Sequence, residues 1–260
     1  MLRPRLIPCL LIQNRGLVKT VRFSDPKYVG DPINAVRIFN EKLVDELMVL
    51  DIEATRLGRE PDYRMIANLA NESRMPLCYG GGVTTVGQID RIIGLGVEKV
   101  ALSSAVIADP GLIARAADRA GAQSIVLVLD VKRTGLLRHH EVVTHNATCR
   151  TGFDPVQFVV RVAKSGVGEV VINTVDRDGT MEGYDLELVS RIRDATSLPV
   201  TVLGGAGSTD HIVDLWKRQN LVGAGAGSLF VFKGKYRAVL INYPNESEKA
   251  QLLARAGWTR

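Results

Sequence analysis

Apolar residues along this chain fall into two alternating patterns. Short runs rich in Val, Ile and Leu are apolar at nearly every position, and longer segments between them repeat apolar residues at helical spacing. A run apolar on both faces predicts a strand covered on both sides, as in a parallel sheet. Eight such strands are predicted: "RLIPCLL", "ELMVLDI", "PLCYGG", "KVALSS", "SIVLVLDV", "EVVINTV", "PVTVLGG" and "VGAGAG". Helices are predicted over 31–44, 85–96, 110–121, 155–166, 186–196 and 209–219. Strands alternating with helices make βα units. Eight strands within about 230 residues fit a closed (β/α)₈ barrel better than an open doubly wound sheet, which uses fewer strands at that length. After "GSLFVF" the pattern changes, since "GKYRAVLINYP" reads as extended chain where a barrel would place its last helix, and "NESEKAQLLARAG" reads as helical. The expectation is one barrel domain over 1–260 with an atypical C-terminal segment, 233–260.

The strand ends repeat. "VLDIEAT", "YGGGV" and "ALSSA" in the first half correspond to "NTVDRDGT", "LGGAGS" and "GAGSLF" in the second, so the barrel divides into two similar half-barrels. The correspondence pairs Asp51 with Asp176, Gly81 and Gly82 with Gly205 and Gly207, and Ser104 with Ser228. It also pairs "IPCLLIQ" with "LVLDVKR", so Leu11 stands where the other half has Asp130.

Composition narrows the picture only a little. A chain of 260 residues that is 46% hydrophobic can withdraw roughly 75% of its unfolded surface from water without disulfides. Its three cysteines, Cys9, Cys78 and Cys149, are an odd number, and the first two lie in apolar strands, which predicts free thiols and a reducing cytoplasm. The basic N-terminus "MLRPRLIPCLLIQ" lacks a signal cleavage site, and no stretch approaches the roughly 18 apolar residues of a membrane span. A net charge of +5 favours anionic ligands, but aromatics are 5% and no basic stripe appears, which argues against nucleic acid.

Chemistry concentrates at the strand ends, the face where barrels of this kind carry their sites. The glycines of "YGGGV" and "LGGAGS", followed by "SSAV" (Ser103, Ser104) and "GSLF" (Gly227, Ser228), let backbone N–H groups approach an anion closely. Two related cradles on opposite sides of one mouth predict a ligand with a phosphate at each end. The alternative is that the glycines only permit tight turns. Asp130, flanked by apolar residues, is a candidate general base or acid, or else a loop-capping aspartate. Asp51 and Asp176 either meet the ligand or orient loop backbone, and Lys19 either reaches a phosphate or is a solvated loop residue. No motif for a metal or a cofactor is present, and none is expected.

At this point a resemblance becomes specific. "RLIPCL", "ADPGLIARAADRAGAQSIVLVLDVKR", "VDRDGTMEGYDLEL" and "LGGAGS" resemble the cyclase subunit of the imidazole glycerol phosphate synthase family over residues 1 to about 232. The resemblance implies a barrel that binds a bisphosphorylated ribosyl-aminoimidazole nucleotide at its C-terminal face, while a glutaminase docks on the N-terminal face and sends ammonia through the barrel. It implies a general-base role for Asp130, phosphate contacts for Gly82, Ser104, Gly205 and Ser228, and a charged ring at the tunnel entrance made of Arg5, Glu46, Lys99 and Glu169. Two positions depart from the family. Its second catalytic aspartate falls on Leu11, and a common asparagine falls on Ser103. With the unusual tail, this implies a divergent branch associated with bacterial surface sugars, in which a third protein, a sugar amidotransferase, uses the ammonia to make an acetamidino group. A working cyclase of histidine biosynthesis and a non-catalytic phosphate-binding scaffold that activates a glutaminase are the alternatives.

Overall fold

The computed structural model describes residues 3–136 and 138–258. Eight parallel strands close on themselves: β1 (Leu6–Gln13), β2 (Leu47–Asp51), β3 (Leu77–Gly80), β4 (Lys99–Leu102), β5 (Ile125–Thr134), β6 (Glu169–Thr174), β7 (Val200–Leu203) and β8 (Gly223–Ala226). Each pairs with its neighbours in sequence, and Ile7 opposite Gly225 joins β8 back to β1. The helices are α1 (Pro32–Glu41), α2 (Tyr63–Glu72), α3 (Val86–Gly94), α4 (Ser104–Ala108), α5 (Leu112–Ala120), α6 (Pro155–Val162), α7 (Leu186–Ala195), α8 (Thr209–Gln219), α9 (Ser228–Val231) and α10 (Glu246–Arg255). This is a (β/α)₈ barrel, and none of its helices is long and apolar enough to cross a membrane among the described residues.

Strand alternation divides the core into two shells. Leu6, Leu10 and Ile12 of β1 face outward and pack with the helices, whereas Ile7 and Cys9 face inward with Met48, Cys78, Ala101, Val126, Val128 and Val171. At the end where the strands start, the inward positions become charged: Arg5, Glu46, Lys99 and Glu169. At the other end they become Leu11, Asp130 and Asn173. Helices α1, α2, α3, α6, α7 and α8 start on that second face, and their first N–H groups are capped by side chains of Asp31, Asp62, Thr85, Asp154, Asp185 and Ser208. These caps satisfy orphan helix donors and so fix the path of each loop around the mouth.

Three elements differ from expectation. Helix α2 was not anticipated, because only Ile66 and Leu69 of its ten residues are buried. The stretch after β1 is not irregular loop but an antiparallel hairpin, Gly16–Val21 with Ser24–Gly30. Its outer strand is exposed nearly throughout and so lacks an apolar alternation. The second half repeats the device, with His139–Thr144 turning back on β5. The C-terminal segment contains only a two-residue-strand hairpin, Phe232–Lys233 with Ala238–Val239, before running down the outside of the barrel. There the Tyr243 hydroxyl donates to the Leu6 carbonyl at 2.9 Å, and α10 packs on α8.

Candidate active site

A cavity opens at the ends of the strands, with an empty volume, open mouth included, of about 1270 Å³. Gly81, Gly82, Ser103 and Ser104 line one side; Gly205, Gly227 and Ser228 line the other. The two groups end β3–β4 and β7–β8, which lie opposite each other in the ring of eight. Backbone conformation explains two of these glycines. At Gly82 (φ +71°) a Cβ would stand 2.5 Å from the Arg59 carbonyl oxygen, and at Gly205 (φ +105°) it would stand 2.0 Å from that of Gly183. Gly207 lies outside the cavity: its Cα side faces the Met181 carbonyl, and its N–H donates to His211 Nδ1 at 3.1 Å.

Asp130 and Leu11 both line this cavity, each on the inward face near the end of its strand. Burial pushes the Asp130 carboxyl up to about 7, even though Asn173 Nδ2 donates to its Oδ1 at 2.9 Å; Asp178 pushes it in the same direction as burial. A carboxyl in that range exists in both forms near neutrality, as a proton-transfer group requires. Leu11 offers no such group.

The other acids divide. Asp51 lines the cavity, while its Oδ1 accepts from the N–H groups of Glu53 and Ala54 at 2.9 and 3.0 Å. Asp176 does not line it, because its Oδ2 accepts from the Arg133 N–H at 2.7 Å and is held away on the β5 extension. Asp178 takes the place expected of Asp176. The turn Val175–Arg177 brings it over the mouth, where it accepts from Thr20 Oγ1 at 2.7 Å and from the Phe23 N–H at 3.3 Å. Burial raises its carboxyl, against those two bonds and Lys19.

Lys19 is not a solvated loop residue. It is 6% exposed, and its Nζ donates to the Cys9 carbonyl at 2.7 Å beside Gly227. Burial lowers its affinity for a proton, and Asp178 opposes that effect. Burial raises the neighbouring Cys9 thiol to about 11, so it stays protonated.

At the opposite end of the interior, Arg5, Glu46, Lys99 and Glu169 meet in one alternating ring. Arg5 pairs with Glu46 and, at 2.7 Å, with Glu169; Lys99 pairs with both acids at 2.9 Å. Thr201 Oγ1 also donates to Glu169 at 2.6 Å. Burial pushes the Glu169 carboxyl up, but Arg5 and Lys99 more than offset this and hold it below the usual range. The ring lies at the end of the barrel where the strands start.

Sequence reasoning missed Asn173, Asp178, Thr20, His145 and Asn146, all of which line the mouth. Asn173 was readable from alternation, since it follows Glu169 and Val171 on the inward face of β6. His145 and Asn146 follow an unforeseen strand and left no signal. Among the described residues, no group of three His, Cys, Asp or Glu is placed to hold a metal ion.

Similarity to known proteins agrees with this geometry. A Leptospira borgpetersenii protein named "Putative imidazole glycerol phosphate synthase subunit HisF" is 53% identical over 252 residues, covering 97% of this chain and 99% of that one. A Vibrio vulnificus protein of the same name but designated hisF3 is 55% identical over 253 residues, 97% of each chain. One from Pseudomonas aeruginosa, designated hisF2, is 50% identical over 245 residues, 94% of this chain and 97% of its own. Residues 5–237 match the family described as histidine biosynthesis protein, and the chain belongs to that family.

Proposed function

We propose that this chain is the barrel subunit of a glutamine-dependent amidotransferase in the cytoplasm. It receives ammonia from a glutaminase bound at its N-terminal face and has weak or no cyclase chemistry of its own. The observation that carries the reading is Leu11, an aliphatic side chain in the same cavity as Asp130, where the family resemblance expects a second carboxylate. Losing one of two proton-transfer groups typically removes about 10² to 10⁴ in rate. The two glycine cradles support retention of a phosphorylated ligand with an anion at each end. The ring of Arg5, Glu46, Lys99 and Glu169 supports an entrance for ammonia, since four charges around the axis have no evident use in a solitary barrel. The resemblance supplies the acceptor class: a sugar carrying an acetamidino group, made by a third protein for a surface polysaccharide. Mixing this chain with its glutaminase and measuring glutamate release tests the reading. Complex formation and stimulation are expected; neither one, with the third protein and a bisphosphorylated ligand present, would overturn it.

One observation favours a second reading, a working imidazole glycerol phosphate cyclase. Asp178 brings a second buried carboxylate to the mouth, able to take the role that Leu11 cannot. Turnover of the bisphosphorylated ribosyl-aminoimidazole nucleotide with added ammonia, on the order of 1 s⁻¹ or faster, would select this reading over the first.

A further inference from the structure

The hairpin of the C-terminal segment presents an apolar and cationic surface that the fold does not use. Residues 233–240 are all exposed. Tyr236, near its tip, is 91% exposed, and Val239 and Leu240 stand in water with it. Its charge has one sign. Lys233, Lys235 and Arg237 are cations, and no acidic residue occurs between Asp214 and Glu246. Apolar side chains grouped in water and rimmed by charge have the composition of a contact surface.

The hairpin is held in shape before any contact is made. Asn242 Nδ2 donates to the Phe232 and Leu240 carbonyls at 3.3 and 3.0 Å, and the Arg237 guanidinium lies 5.0 Å from the centre of the Phe232 ring. An element already ordered loses less entropy on docking. Its place is also fixed. It follows α9, which begins at Ser228 in the second cradle. Arg237 Nη2 donates to the Gly179 carbonyl at 3.3 Å. The preceding residue, Asp178, accepts at its carbonyl from the Arg22 N–H of the first hairpin at 2.9 Å. Both hairpins therefore stand on one turn at the rim of the mouth.

Ammonia that meets no second proton-transfer group beside Asp130 has to leave by that mouth, and in open water it is protonated and diluted. A consumer seated on the rim prevents both losses. We propose that the C-terminal hairpin is the docking site for the protein that consumes the ammonia, which meets it with an acidic surface and an apolar recess for Tyr236. This rests on the ammonia-carrying function proposed above and extends it to the face opposite the glutaminase.

Binding of this chain to the immobilised sugar amidotransferase, without glutaminase, tests the docking by interferometry. The wild-type protein should bind, and added salt should weaken the complex. Lys235→Glu combined with Tyr236→Ala, and separately Lys233→Glu, should each weaken it by about tenfold or more. With all three proteins present, glutamine-driven amidation of the sugar should fall in the same variants, while amidation driven by ammonium chloride and stimulation of the glutaminase stay at wild-type levels. Those two activities also show that the variants are folded. Wild-type affinity in the folded variants, or no binding by the wild-type chain, would overturn the proposal. So would hairpin-dependent binding to phosphatidylglycerol vesicles or to poly(U) in place of the amidotransferase. A glutaminase that is not stimulated, beside hairpin-dependent binding of the amidotransferase, would count against the ammonia-carrying function and leave the docking site standing.

Discussion

At the scale of single residues, the chemistry turns on what faces Asp130. Leu11 and Asp130 occupy equivalent strand ends of the two half-barrels and line one cavity. Leu11→Asp should therefore raise ammonia-dependent turnover of the bisphosphorylated nucleotide that the resemblance implies, roughly tenfold or more. Adding Asp130→Asn should abolish the gain. By the resemblance Ser103 also replaces an asparagine, so full restoration is not expected, and a new carboxylate near Asp130 would repel its charge. A steady-state assay of the single and double variants checks both statements. Asp130 also makes a prediction about stability. Its folded value of about 7 lies above that of an unfolded aspartate, so between those values the native state binds more protons than the unfolded chain. Stability contributed by this group is present at low pH and is lost as pH rises through neutrality. Asp130→Asn should match the wild type near pH 4 and become more stable than it by about 2 kcal/mol or more at pH 8. Urea unfolding at the two pH values measures the difference.

At the scale of elements, the eight strands were legible because burial on both faces leaves an uninterrupted apolar signature. The hairpin after β1 was not, because the polar side chains of Ser24–Gly30 face solvent and carry no period. The site was legible to the extent that it depends on residue type at a strand end. The positions of Gly81, Gly82, Gly205, Gly227 and the serines at the cavity follow from their place at strand ends, though Gly207 does not reach it, whereas the choice between Asp176 and Asp178 depends on a single turn that sends the first back to the Arg133 N–H and the second inward. No local pattern distinguishes two aspartates in "VDRDGT". The cradles make their own prediction. Sulfate or phosphate in crystals should sit beside Gly82 and Ser104 and beside Gly205 and Ser228. Gly205→Ala should destabilise the protein by about 2 kcal/mol, because it places a Cβ in a left-handed conformation against the Gly183 carbonyl. It should also empty the second anion site while leaving the first occupied. Anions lost from both sites, or from neither, would mean that the loops do not act as separate cradles.

At the scale of the whole molecule, the two ends of the barrel axis are built on opposite principles. The mouth leaves polar groups available, and the floor leaves almost none, since every charge in the ring has two partners of the opposite sign. Glu46 and Glu169 are 3% and 4% exposed, so their charges depend on Arg5 and Lys99 rather than on water. Removing one partner from a buried ion pair typically costs about 3 to 5 kcal/mol, because the other charge is left uncompensated. Lys99→Met keeps the length and the apolar stem, and should destabilise the protein by about 3 kcal/mol at pH 7. Breaking the exposed pair of Arg115 and Asp109 with Arg115→Ala should have no measurable effect. The sign of the pH dependence separates lost charge from lost packing. Glu169 is held below the usual carboxylate range in the wild type, so its contribution is present above the unfolded pKa and is lost as pH falls through the folded one. Lys99→Met removes one cation that depresses it. The gap between variant and wild type should therefore narrow as pH falls, because Glu169 takes up its proton at a higher pH in the variant than in the wild type. A packing defect would leave the gap constant across that range, and urea titrations at several pH values distinguish the two.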